Sequence, residues 1–280
     1  MILGILHSTI RADEKFILEA AKKHNVEVNL VDIRNEIFNP DTYKPNYRIA
    51  LERSVSTVKG TYAVNFLESL GVKVINNSSV SNICQDKFIT SLVLKKFGVP
   101  VPPFALTFSY AQALAAVDDL GGFPVVLKPN LGSWGRLLAK INDSDSLEAL
   151  IEHKETLGSP HQKAYYIQKF IPKPDRDIRA FLIDGNTICA IYRESQHWIT
   201  NTARGAKASN CPVTEEIRNI CKMASDAVGG GILSVDLLET PSGLMVNEVN
   251  HTMEFKNSES PTGVSISEEI IKYCISASNS

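Results

Sequence analysis

The segment Val125-Val126-Leu127-Lys128-Pro129-Asn130-Leu131-Gly132-Ser133-Trp134-Gly135-Arg136 decides how this chain is read. An apolar run hands a lysine to a glycine loop, and 137–141 resumes as a strand, so the pattern predicts an antiparallel hairpin. A lysine leaving a strand beside such a loop suits an anionic phosphate chain. Its ammonium neutralises charge, and exposed backbone N–H groups donate to oxygens. Taken alone, the segment reads equally well as an ordinary hairpin with a snorkelling lysine. It is not a Walker loop, because the lysine precedes the glycines.

Two later runs, Val235-Asp236-Leu237-Leu238 and Val246-Asn247-Glu248-Val249-Asn250, put polar groups on neighbouring apolar strands. Glu248 and Asn250 are two apart and share a face, where Asp236 could meet them. Oxygen-only donors beside a phosphate site fit magnesium, a hard cation that keeps water and nucleotide oxygens in its shell. A solvated polar strand face is the plainer alternative, disfavoured by the apolar neighbours on both strands. A third set is basic: Arg176, Arg179, Arg193 and Arg204. In Arg176-Asp177-Ile178-Arg179 the alternation puts Asp177 and Arg179 on one face. Converging guanidiniums can hold a carboxylate and stabilise charge on a transferring phosphoryl group. Surface salt bridges explain any one of these arginines more readily than the set.

Outward from these segments, 2–6, 26–31, 48–51 and 72–75 read as strands separated by helices at 14–24 and 61–70, which predicts a parallel sheet with helices on its faces. A helix with Asp86, Lys87 and Thr90 runs to about Phe97, and Gly98 with prolines 100, 102 and 103 forms a linker. Helices follow at 111–120, from 146, at 214–227 and at 267–275. Strands are expected at 124–127, 165–170, 177–183, 187–192, 232–238 and 244–249. The fold class is therefore α/β with α+β lobes, expected as 1–90, 91–172 and 173–280. Gly229-Gly230-Gly231 follows a helix instead of opening one, and reads as a C-terminus and tight turn.

Composition narrows the function. With 280 residues the chain exceeds one typical domain, and 29 basic against 31 acidic side chains leave no electrostatic footprint for nucleic acid. The five cysteines lack C-x-x-C spacing, so reduced thiols in a cytoplasmic protein are expected. No run approaches the ~18 apolar residues of a membrane span, and the apolar start is shorter than a signal-peptide core. His153, His161 and His197 lack metal-ligand spacing, and no cysteine carries a nucleophile signature. A dinucleotide oxidoreductase would need an early G-x-G-x-x-G turn, and there is none.

Lys128, the glycine loop, Gln168-Lys169-Phe170-Ile171, Asp236 and Glu248-x-Asn250 occur in an order that resembles the ATP-grasp superfamily over about residues 80–255. G-S-W-G-R at 132–136, R-D-I-R at 176–179, H-W-I-T-N-T-A-R-G at 197–205 and N-E-V-N-H-T-M-E-F-K-N-S at 247–258 are similar to the LysX family of lysine-biosynthesis ligases, through nearly the whole chain. The resemblance implies an ATP-grasp fold with a small N-terminal α/β domain and a homo-oligomer. It also implies ligation, through an acyl phosphate, of the 2-aminoadipate α-amino group to the γ-carboxylate of the C-terminal glutamate on a small acidic LysW-like carrier protein. Carried over by motif, Lys87 and Lys128 contact ATP phosphates, while Gly132, Ser133, Trp134, Gly135, Arg136, Leu137 and Leu138 cover them. Gln168, Lys169, Phe170 and Ile171 hold the adenine edge, and Asp236, Glu248 and Asn250 hold magnesium, implied as two ions. Arg193 and Asn201 lie at phosphoryl transfer with Arg179 and Arg204 nearby, and Phe255, Lys256, Asn257 and Ser258 meet the amino acid.

Ala206 departs from the family, where a second glycine often follows A-R-G. A sister glutamate ligase of arginine biosynthesis carries Gly-Phe where this chain has Asn257-Ser258, which matches the aminoadipate pattern. One methylene is worth only about 1–3 kcal/mol in a pocket, so dual use is a second expectation. A non-catalytic nucleotide sensor would show a damaged metal set or missing basic residues, and both sets are intact.

Overall fold

In the computed structural model, which describes residues 1–132, 136–202 and 205–279, the strands fall into three sheets. The first is parallel, in the order β2 (Glu27–Asp32), β1 (Ile2–His7), β3 (Ile49–Glu52), β4 (Lys73–Ile75). Its parallel register follows from the helical crossovers α1 (Ala12–Lys23) and α2 (Thr57–Ser69). The helix expected from Thr61 starts a turn earlier, because the Ser56 side chain caps it by accepting from the Lys59 N–H.

Helices α3 (Ser78–Cys84) and α4 (Lys87–Lys96) lead into a second, antiparallel sheet in the order β5 (Phe104–Thr107), β8 (Tyr165–Lys169), β6 (Val125–Lys128), β7 (Ala139–Ile141). The hairpin of β6 and β7 forms as expected. Its second strand begins at Ala139 and not at Leu137, which turns with a positive φ of 58°. Helices α5 (Tyr110–Asp119) and α6 (Ser144–Leu157) cover one face, with Val117, Leu147 and Ile151 packed among Val125, Leu127 and Ile167.

The third sheet, also antiparallel, runs β11 (Lys207–Cys211), β10 (Asn186–Glu194), β9 (Arg176–Ile183), β12 (Ile232–Thr240), β13 (Gly243–Asn250). Along β9, Ile178, Ala180 and Leu182 pack beneath α7 (Glu215–Val228), which Gly229 closes in the left-handed conformation. Phe181 and Ile183 point the other way, into a core shared with Leu3, Ile5 and Ile17 of the first lobe and with Ile270 and Cys274 of the C-terminal helix α9 (Ile266–Ser278), which follows the one-turn α8 (Glu259–Thr262). Asp177 and Arg179 share that second face but lie beyond the apolar packing. One half of the face is core and the other half is the charged wall of a cleft.

Among the described residues, four α-helices and strands escape sequence pattern, besides the short 3-10 turn Pro160–Lys163. The helices α3 and α8 are too short to show a period, and β11, Lys-Ala-Ser-Asn-Cys, is a mostly polar strand defined by its pairing with β10. The fourth, β5, follows directly on the proline stretch expected as a linker, where Pro100 O accepts from the Val246 N–H. No described helix is long and apolar enough to cross a membrane.

Candidate active site

Strand register builds the site. Asp177 of β9 lies opposite Arg193 of β10, Arg179 opposite Asp236 of β12, and Asp236 opposite Glu248 of β13. Arg193 Nε and Nη2 donate to the two Asp177 oxygens, both at 2.7 Å, and Nη2 also lies 3.0 Å from Asp236 Oδ2. Arg179 donates to Asp236 through Nε and Nη2 at 2.8 and 2.9 Å. Burial works to raise the Asp236 carboxyl, but Arg179 and Arg193 outweigh it and hold it below the usual aspartate range. Two carboxylates directly opposite, Asp236 and Glu248, repel unless cations lie between or beside them. Here those cations are the two guanidiniums and Lys87, whose Nζ is 3.0 Å from Glu248 Oε1. Arg193 is 2% exposed, and its Nη1 is buried without a hydrogen-bond partner among the described residues.

The other wall is built from β6 and the start of α4. Asp86 caps α4 by accepting from the Ile89 N–H at 3.0 Å, and Lys87 N–H donates to Asn130 O at 2.9 Å, which fastens the helix start to the glycine loop. Lys87 Nζ donates to Gly132 O at 2.6 Å. Lys128 ends β6, 7% exposed, and its Nζ donates to Asn247 Oδ1 at 2.8 Å. Burial pushes the Lys128 ammonium down to about 8, against the pull of Glu248. Asn247 is the extra residue of a bulge: Asp236 pairs with Glu248 and Leu237 with Val246. Simple alternation would turn Asn247 away from the Glu248 face, so only the bulge explains its place in the cleft.

Between these walls is a cleft of about 840 Å³, to which Lys87, Lys128, Gly132, Arg136 and Leu138 contribute from one side and Arg193, Asn201, Asp236 and Glu248 from the other. Gln168, Lys169, Phe170 and Ile171 line it too, with Phe170 edge-on to Trp198 and Lys140 Nζ 4.0 Å above its ring. Leu137 is 65% exposed in its turn. Ser133, Trp134, Gly135 and Arg204 lie outside the described residues. Asn250 faces a second cavity of about 600 Å³, shared with Arg179, Asn201 and Glu248 and continued by Arg11, Thr252 and Glu254. A third, of about 270 Å³, brings Lys256, Asn257 and Ser258 to Arg179 and Arg193. Phe255 is 1% exposed and packs into the shared core, so what it offers is packing. Asn247, Lys173, Trp198 and Thr200 line the main cleft without having been singled out in the sequence. Lys173 reaches it through a bond to Thr200 Oγ1 at 3.2 Å.

Residues 84–274 match the RimK-like ATP-grasp domain family, and residues 3–83 match the LysX preATP-grasp domain. This chain belongs to the RimK-like ATP-grasp family. An alpha-aminoadipate–LysW ligase LysX from Sulfurisphaera tokodaii is 35% identical, with 97% of each chain covered. A glutamate–LysW ligase ArgX from the same organism is 33% identical over 98% of each. A RimK domain ATP-grasp protein from Sphaerobacter thermophilus superposes with a TM-score of 0.82 at 23% identity, covering 98% of this chain and 99% of that one, a likeness of fold. As a RimK-like ATP-grasp protein the chain is an ATP-dependent carboxylate–amine ligase, of a family that uses ATP and magnesium.

The RimK-like site suits that metal. Among the described residues no three His, Cys, Asp or Glu side chains gather closely enough to form a cage. Glu248 lines both cavities, with Asp236 in the first and Asn250 in the second, and two carboxylates and an amide would leave coordination positions for water and phosphate oxygens, which is how magnesium is usually held. A cation at Asp236 and Glu248 would also relieve their mutual repulsion.

Proposed function

We propose that this ligase joins the α-amino group of 2-aminoadipate to the γ-carboxylate of the C-terminal glutamate of a LysW-like carrier protein. The observation that carries the reading is the small cavity in which Asn257 and Ser258 adjoin Arg179 and Arg193. Both polar side chains can donate to the far carboxylate of an amino acid and leave room for the longer aminoadipate chain. Gly-Phe in their place would substitute bulk. The 35% and 33% identities to the two carrier ligases are too close to separate the substrates, so the reading is supported by these two residues.

On this reading, Lys87 and Lys128 bind nucleotide phosphates, and Gln168 through Ile171 border the adenine. Asp236, Glu248 and Asn250 would hold magnesium, as two ions, and bound there it would supply charge shielding for the phosphates. The unpartnered Arg193 Nη1 donates to the phosphoryl group as it passes to the carrier carboxylate, and Arg179 holds Asp236 in place. ADP leaves as the bond to the phosphoryl group breaks; the amine, deprotonated by solvent, then attacks the acyl carbon, and phosphate leaves as the amide forms. Lobes 1–90, 91–172 and 173–280 would close around these groups, and five buried free thiols fit a cytoplasmic setting.

The test is to incubate the protein with ATP, magnesium, carrier and either amino acid, and to weigh the carrier. Mass added by 2-aminoadipate in preference to glutamate is expected. Addition of glutamate alone would refute the substrate.

A further inference from the structure

The five residues before Asn257 are each tied to the N-terminal lobe. Thr252 Oγ1 donates to Glu52 at 2.8 Å, Met253 O accepts from Arg53 Nη1 at 2.9 Å, and Glu254 accepts from Arg11 Nη1 at 2.7 Å. The Phe255 and Lys256 N–H groups both donate to Asp13 Oδ1 at 2.7 Å, and the Arg53 guanidinium sits 5.9 Å from the Phe255 ring centroid. Glu14 binds the clamp together, accepting from Arg11 Nε at 3.0 Å and from Arg53 Nε at 3.0 Å. Asp13 and Glu14 are 1% exposed and Arg53 2%.

Buried charges of this kind are rarely a source of stability. Desolvation offsets much of their attraction, and well-packed apolar residues of similar volume do as well or better. What the clamp supplies is geometry, because two N–H donors on one carboxylate oxygen fix the segment's direction as well as its distance. That segment ends at Asn257-Ser258, and Glu254 and Lys256 within it line the same small cavity.

We infer that Asp13, Glu14 and Arg53 are positioning residues for amino-acid selection: the N-terminal lobe sets where Asn257 and Ser258 stand relative to Arg179 and Arg193. The inference rests on the proposed role of that pair. Selectivity then depends on side chains that touch no substrate.

The experiment compares kcat/KM for 2-aminoadipate and for glutamate in the wild type, Asp13→Ala, Asp13→Asn and Arg11→Gln, with the ATP KM and thermal midpoint of each. Asp13→Ala is expected to change the ratio of the two amino acids by about tenfold, the scale of a one-methylene discrimination, through the amino-acid KM. The ATP KM should stay near its wild-type value. Asp13→Asn keeps an oxygen for both N–H groups and should restore the ratio. If Asp13→Ala does not fold, Arg11→Gln, which removes the guanidinium contacts to Glu254 and Glu14 and leaves Asp13 on the segment, carries the same comparison. An unchanged ratio in the folded variants overturns the inference, whichever amino acid is preferred. A wild type that prefers glutamate refutes the aminoadipate reading alone, and a ratio that still moves upholds the clamp.

Discussion

Replacing Arg193 by methionine should cost stability and activity separately, and the structure says how to tell them apart. Arg193 is bidentate to Asp177, 5% exposed, and also touches Asp236. Without it Asp236 keeps Arg179, whereas Asp177 loses its bidentate partner inside the protein. Removing one member of a buried pair costs about 3–5 kcal/mol, because the remaining charge is uncompensated. Arg193→Met should therefore lower unfolding free energy by about that amount in urea. Adding Asp177→Asn removes the stranded charge and should recover most of the loss. Activity should not follow. If Nη1 is the proposed donor to the transferring phosphoryl group, nothing replaces it once the guanidinium is gone, so single and double variants alike should fall about 10²–10³-fold in kcat, as on loss of an oxyanion-hole donor. Phosphate release with carrier and amino acid measures this. A double variant that regained activity along with stability would show that Arg193 acts only as a structural partner of Asp177.

Three further outcomes are expected. Glu248→Gln preserves size but removes a charge from the proposed magnesium site and from Lys87, so turnover should be abolished with the fold intact; full activity at limiting magnesium would refute the ligand assignment. Burial holds the free enzyme's Lys128 at about 8, so its ammonium is charged below that pH and lost above it. Accordingly kcat/KM for ATP should decline as pH rises through about 8, and Lys128→Arg, charged throughout, should remove that limb from the pH profile. Replacing Asn257 and Ser258 together by Gly and Phe should reduce the use of 2-aminoadipate relative to glutamate by ~10–100-fold in competing-substrate kinetics. An unchanged ratio in that folded variant would remove the main support for aminoadipate.

The hairpin around Lys128, the parallel first sheet, the glycine stop after α7, and the charged faces of β9, β12 and β13 are legible in the chain alone. Each depends on local rules: alternation, left-handed glycine, and the turn chemistry between short apolar runs. The sequence also contained the ligase motifs, because residues 247–258 are contiguous in the chain. Tertiary structure decided the rest. Nothing local says that Arg179 pairs with Asp236 and Arg193 with Asp177, since strand order and register set those partners across 57 and 16 residues of chain. Asn247 enters the cleft only because a bulge breaks the alternation that sequence reading assumes. Phe255 belongs to the core, and Asp13 and Arg53 reach the segment it sits in, because α1, α9 and the third sheet share one apolar core. Contacts over 200 residues or more, such as Arg53 to Met253, leave no period or motif in the chain, and only the packing of the two lobes creates them.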